Sequence, residues 1–212
     1  MKNNKMKTYS ITIIPPNLCF KTKIKNLPFL NYTKNRIFQK SMKVENHIKE
    51  ILTELTENNV KFIVCGGLAA VLHGVERMTM DIDISIDYSE ENYNNFLDSL
   101  DKLNLSPRAP FSPEKLKEGK IRKDLIENKN AIVFSFVDNN KPYKQLDIFL
   151  SDENSYQNLV KYAVKIPIED KEIYVISIDK LIEIKSSLQE PREKDVLDIK
   201  MLKQINEAKK RK

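Results

Sequence analysis

MTMDIDISID, residues 78–87, alternates apolar and polar side chains at every step: Met78, Met80, Ile82, Ile84 and Ile86 form one series, and Thr79, Asp81, Asp83, Ser85 and Asp87 the other. A period of two marks a strand with one buried face, so the stretch predicts a β-strand over 78–87. Its polar face then carries Asp81 and Asp83 about 7 Å apart, since side chains two residues along a strand point the same way. Aspartate is depleted in strands and like charges side by side repel, so the pair calls for something positive between its members. Mg²⁺ is a natural candidate, because it takes hard oxygen ligands and uses one or two carboxylates together with phosphate oxygens. A solvated polar face also explains the alternation, although Ser, Thr or Lys would satisfy it with less repulsion.

Upstream, KFIVC (61–65) reads as a short buried strand running straight into Gly66-Gly67, two of only four glycines in the chain. LAAVLHG (68–74) reads as a compact helix that stops at Gly74. A glycine pair between strand and helix leaves backbone N–H groups at the helix N-terminus with no Cβ to keep a phosphate away. A simple tight turn is the other reading of the pair. Val44, Ile48, Ile51, Leu52 and Leu55 recur at helical spacing before the strand, and that helix ends near Asn58-Asn59.

Downstream, SEENYNNFLDSLDKLN (89–104) predicts an amphipathic helix with Ser89 as N-cap. Residues 106–130 hold Pro107, Pro110 and Pro113 and read as a loop followed by a surface helix. AIVFSFV (131–137) and KQLDIFL (144–150) are strands joined as a hairpin through DNNKPY. A helix near 154–162, a strand pair around VKIPIED and EIYVIS, and two C-terminal helices complete the order. Ser177 caps the first of these, and Pro191 falls in the first turn of the second. This order predicts an α/β (α+β) fold, a mixed β-sheet flanked by helices with a C-terminal helical segment.

The 212 residues suit one domain of ordinary size, and 41% hydrophobic with 31% charged residues is a soluble, globular balance. No apolar run approaches the roughly 20 residues of a membrane helix. The net charge of +6 is unevenly spread: residues 1–44 hold nine lysines and Arg36 with no acid, so the remainder is net acidic. Residues 1–43 therefore read as a basic, disordered leader, or as the product of a start placed upstream of Met42. Residues 44–176 read as the core domain and 177–212 as helices packing on it. A leader without aromatics at regular spacing argues against a plain RNA-binding protein. Cys19 and Cys65 cannot make a disulfide framework, so a cytoplasmic location is expected.

Gly66-Gly67, a short helix, then Asp81-Ile82-Asp83 resembles the signature of the polymerase-beta-like nucleotidyltransferase superfamily. More narrowly, GG.A...HG..R.T.DIDI and the tail ISIDKLIEIKSSLQEPREKDVLDIKML (176–202) resemble the minimal and AbiEii-type nucleotidyltransferases of toxin–antitoxin and abortive-infection systems. The resemblance implies a nucleotidyltransferase fold and Mg²⁺-dependent transfer of an NMP from an NTP, ATP among them, to an acceptor hydroxyl on RNA, tRNA or protein, while the sequence leaves a small molecule such as an antibiotic open as acceptor. A cognate antitoxin is an implied partner, and two Mg²⁺ ions are implied at the site. The family needs a third carboxylate on a neighbouring strand, and Asp147, flanked by Leu146 and Ile148, fits that place. Asp81, Asp83 and Asp147 are thus the expected catalytic and metal-binding residues, with Gly66, Gly67, Arg77 and Lys185 expected at the nucleotide phosphates.

Asp195 and Asp198 match the tail pattern, but an ion pair with Arg192 or Lys194 explains them as well. Many relatives carry Ser where Gly67 stands, so a hydroxyl phosphate donor is missing here. Asp87 matches no family position, and His47 and His73 read as structural. A catalytically silent member of the fold that binds nucleotide or RNA is the alternative, and the filled carboxylate trio argues for activity.

Overall fold

The computed structural model describes residues 46–168, 171–188 and 190–210; the basic leader lies outside the described residues. The chain is helical over 46–57 (α1), where Ile51, Leu52 and Leu55 are buried. It continues through β1 (Phe62–Val64), α2 (Gly66–Leu72), β2 (Asp81–Ile86), α3 (Glu90–Lys102) and β3 (Ser106–Pro107). Next come α4 (Gly119–Lys129), β4 (Val133–Asp138), β5 (Lys141–Phe149) and a single turn, α5 (Tyr156–Leu159). β6 (Ala163–Ile168), β7 (Lys171–Ile176), α6 (Ile178–Ser186) and α7 (Glu193–Lys210) complete the order.

The strands form one seven-stranded sheet in the order β3-β4-β5-β2-β1-β7-β6. β2 pairs with β5, and β1 with β7, in parallel, while the other neighbours are antiparallel, so the sheet is mixed as expected. Parallel neighbours cannot be joined by a tight turn, and α3 and α4 lie within the long return from β2 to β5. Ile82, Ile84 and Ile86 fill the inner face of β2 and are fully buried. α6 packs on α7 and on α2, and both Leu181 and Leu202 reach the core. Among the described residues no helix is long and apolar enough to cross a membrane.

Several expected boundaries move, each because of a particular hydrogen bond or backbone turn. β2 begins at Asp81 rather than at residue 78, because the Met80 carbonyl accepts a hydrogen bond from His47 Nε2 at 3.0 Å in place of a strand neighbour. Met78 is consequently 68% exposed instead of sharing the buried face. The β4–β5 turn is tighter than DNNKPY, since the Asp138 carboxylate accepts from the N–H groups of Asn140 and Lys141 and lets β5 start at Lys141. The helix expected near 154–162 is α5 between two 3₁₀ turns. Extended backbone at Ser155 interrupts it, and the Asn154 carbonyl is engaged by the Ser85 hydroxyl at 2.7 Å.

Ser89 stands at the N-cap of α3 but its side chain makes no capping bond. Its backbone N–H and its hydroxyl both donate to Asp87, each at 3.0 Å, and Gln157 adds a third donor at 2.7 Å. Asp87 is therefore an anchor at the end of β2. Ser177 does cap α6, accepting from Lys180 N–H. α7 starts at Glu193, so Pro191 precedes its first turn.

Candidate active site

The parallel pairing of β2 with β5 sets Asp83 opposite Asp147 and Asp81 opposite Gln145. Register partners in a sheet share a face, so two carboxylates lie abreast on adjacent strands with a third two residues along. Asp147 is buried, Asp83 half-buried and Asp81 exposed. Gln145 Nε2 donates to both oxygens of Asp147 at 2.9 Å, and its Oε1 accepts from Arg108 at 2.8 Å. Burial raises the pKa of Asp147, against hydrogen bonds from Ser135 and Gln145 that favour the charged form. Asp83 is raised to about 6, first by burial and then by the negative charge of Asp147, while the Gly67 N–H and Lys185 oppose the shift.

These groups suit a hard divalent cation: all three are carboxylates, and two of them, Asp83 and Asp147, stand abreast on adjacent strands, each with its pKa raised first by burial and then by neighbouring negative charge, an arrangement a cation would stabilise. Among the described residues no three His, Cys, Asp or Glu side chains are already gathered closely enough to enclose an ion.

The glycines explain how the chain reaches this cluster. Gly66 has φ +58, and a Cβ there would overlap the Asp83 carboxylate. The Cys65 N–H donates to the Asp83 carbonyl at 2.8 Å, which pins the β1–α2 turn against β2. At Gly67 an added Cβ would lie 2.6 Å from Arg77 Nη2 and 2.9 Å from Thr79 Oγ1. The Arg77 guanidinium thus fills the space beside Gly67 that a side chain there would need. His73 lies behind α2, with Nε2 2.7 Å from the Ile176 carbonyl, a structural tie.

Arg77 and Lys185 do not project freely toward a ligand. Arg77 Nη1 pairs with Asp198 at 2.7 Å, and Lys185 Nζ pairs with Asp195 at 2.7 Å and Asp198 at 2.9 Å. Arg192 Nε closes the chain on Asp195 at 2.8 Å. Burial alone would raise the Asp195 pKa, but hydrogen bonds from Arg192 and Lys185 outweigh it and hold the group at about 2. Three cations on two aspartates leave one net positive charge beside Gly66 and Gly67. Of the pairings the sequence suggested, Arg192 with Asp195 is present; the links of Lys185 and Arg77 to Asp198 were not anticipated, nor was the hold of Gln145 on Asp147. The position of Gln145, two residues before Asp147 on the same strand face, was the available signal.

Residues 47–202 match the aminoglycoside-2''-adenylyltransferase family, a span that contains all of these groups. The chain belongs to that family. This adenylyltransferase-family chain is accordingly an enzyme of the nucleotidyltransferase class. Its fold resembles that of the lincosamide antibiotic adenylyltransferase LnuA in its lincomycin-bound crystal structure, with TM-score 0.53 and 20% identity over 76% of this chain and 97% of that one. The solution structure of the antibiotic-resistance factor ANT(2'')-Ia aligns with TM-score 0.49 and 14% identity, over 76% and 83% of the two chains. No curated protein matches the chain in sequence. The superfamily inferred from the glycine and aspartate spacing holds, but the matching family is an antibiotic adenylyltransferase one, not the AbiEii type.

Two cavities meet at the site of this family member. The first, about 420 Å³, is lined by Gly66, Gly67, the three carboxylates and Lys185. The second, about 450 Å³, has an apolar wall of Met78, Met80, Leu197 and Met201 and shares Arg77, Thr79, Asp81 and Lys194 with the first.

Proposed function

We propose that this nucleotidyltransferase moves AMP from ATP onto a hydroxyl of a small-molecule acceptor of the antibiotic kind. The observation that carries the reading is the register placing Asp83 beside Asp147 in a cavity that also exposes Gly66 and Gly67. In this reading Asp81, Asp83 and Asp147 hold two Mg²⁺ ions. Bound there, Mg²⁺ would neutralise the triphosphate and stabilise the attacking and leaving oxygens.

The chain's own groups do the rest. Gly66 and Gly67 make room for the Asp83 carboxylate and the Arg77 guanidinium in the wall where the triphosphate would lie. Lys185 and Asp198 brace Arg77 from behind. Asp147, held by Gln145, faces the acceptor and takes the proton from its hydroxyl. The acceptor oxygen bonds to the α-phosphorus, the bond to the β-phosphate bridging oxygen breaks, and pyrophosphate leaves. Membership of an antibiotic adenylyltransferase family favours a small acceptor over RNA, tRNA or protein, and over a toxin paired with an antitoxin.

Incubation of the full-length chain with each α-phosphate-labelled NTP, Mg²⁺, an antibiotic panel and total RNA and protein tests this reading. Label should pass from ATP to a small molecule, and Asp83→Ala should lower the rate by roughly a thousandfold, the scale of losing a preorganised charge-stabilising group. Label on RNA or protein would reinstate a macromolecular acceptor. Nucleotide binding without any transfer would identify a silent fold.

A further inference from the structure

We infer that Arg108 is a positioning residue for the transfer: acting through Gln145 it fixes the carboxylate of Asp147, and the two-residue strand β3 is what delivers it there. The inference rests on the transferase reading above, in which Asp147 takes the acceptor proton, and adds a group that acts on that aspartate from the edge of the sheet.

Register places Arg108 in line with the carboxylates. β3 lies at the edge of the sheet and pairs with β4 through Ser106 opposite Val137 and Pro107 opposite Phe136. An edge strand tolerates Pro107, which has no N–H to give. The next pair in this register is Arg108 with Ser135, and the Arg108 N–H donates to the Ser135 carbonyl at 2.9 Å. Ser135 in turn stands opposite Asp147, and Asp147 opposite Asp83. Register partners share a face, so one row across four strands runs Asp83, Asp147, Ser135, Arg108. The backbone of Arg108 is thus held on the very row that carries two of the three aspartates.

The side chain then selects between two aspartates. By register Gln145 is the neighbour of Asp81, yet its Nε2 lies 2.9 Å from both oxygens of Asp147. A primary amide has a donor end and an acceptor end, and either carboxylate would accept from the donor end. A guanidinium has only donors, so it can hold only the carbonyl end. Arg108 Nη2 does so, donating to Gln145 Oε1 at 2.8 Å. β3 and β2 lie on opposite sides of β5, so this bond draws the amide away from Asp81 and commits its donors to Asp147. Burial raises the pKa of Asp147, and the charge of Arg108 is among the influences that oppose the rise, which favours the ionised form that a proton acceptor needs. Arg108 is exposed, and one surface bond adds little stability. Its effect is on direction: removing a partner that orients an ion-ligating group typically costs about 10–100-fold in metal affinity or activity.

Arg108→Ala, Gln145→Ala and the double variant, made in the full-length chain, test the inference. Each single variant should lower kcat for AMP transfer about tenfold, leave the KM for ATP within about twofold, and weaken Mn²⁺ binding in the absence of nucleotide about tenfold. The double variant should be no worse than Gln145→Ala, because a residue that acts only through another adds nothing once that other is gone. Arg108→Lys, which keeps a donor and the charge, should recover part of the loss. A further readout needs neither metal nor substrate. The side-chain amide signals of Gln145 in the NMR spectrum, identified by their absence from Gln145→Ala, should move toward those of a solvated glutamine in Arg108→Ala. Unmoved amide signals overturn the inference, as does an Arg108→Ala chain with unchanged kcat and Mn²⁺ affinity. Losses that add in the double variant also overturn it, in favour of direct contact between Arg108 and a substrate. If the unaltered chain transfers AMP to no acceptor, the transferase reading fails, while Mn²⁺ affinity and the amide signals still decide the role of Arg108.

Discussion

Asp83 carries its charge in a half-buried position, with Asp147 abreast, Asp81 nearby and the Gly66 backbone against its carboxylate. Its pKa is accordingly lifted from 3.8 to about 6, burial contributing most. A carboxyl with a folded pKa above its unfolded one holds its proton more tightly in the native state, so the stability it contributes is full below about pH 4 and lost as pH rises through about 6. Without metal, the chain should lose up to about 3 kcal/mol over that interval, at 1.36 kcal/mol per pKa unit. Asp83→Asn should remove most of this slope and Mg²⁺ should reverse the loss at pH 8; urea midpoints measured against pH check both. The alternation in 78–87 made Asp81 and Asp83 legible because neighbours two apart on a strand need no tertiary information. Asp147 was different: no local pattern states which strand lies beside β2, and only the family resemblance supplied it. Asp87, in the same alternating series, proved to be a structural acceptor for Ser89 and Gln157.

Elements are tied to the site by side chains that join them. Asp198 of α7 is 1% exposed and bonds both Arg77, in the loop before β2, and Lys185 of α6. Removing Asp198 leaves the Arg77 guanidinium without its carboxylate while Lys185 keeps Asp195, so Asp198→Ala should destabilise the fold, by up to about 3–5 kcal/mol. Asp198→Asn, which keeps a carbonyl acceptor, should cost less; thermal denaturation distinguishes the two. The helices themselves were readable from periodicity and from Ser177, whose capping bond is present. What escaped were the interruptions set by distant partners. His47 takes the Met80 carbonyl and shortens β2, and Ser85 takes the Asn154 carbonyl beside the broken helix. Spacing along α7 likewise could not reveal that Asp198 would find Arg77 and Lys185, since that depends on how α6 and α7 are packed.

Across the whole molecule, the mixed sheet could be anticipated from the order of helices and strands, whereas the strand sequence β3-β4-β5-β2-β1-β7-β6 could not. The family match begins at residue 47, beyond the ten positive charges of residues 1–44. A chain begun at Met42 should therefore unfold in a single cooperative transition and transfer AMP within about twofold of the full-length rate, as calorimetry and label transfer would read. The parallel contact between β2 and β5 and the ties from α7 to Arg77 and Lys185 together bear on when the enzyme comes into being. Asp83 and Asp147 meet only after the intervening helices and the β4–β5 hairpin have been made, and such non-local pairings form slowly because loop closure must come first. On the ribosome the N-terminal half would emerge with its aspartates unmatched, and the ties from α6 and α7 would follow last of all. Activity should therefore switch on only near the completion of synthesis, and chains stalled before α7 should be inert even with β2 and β5 already joined.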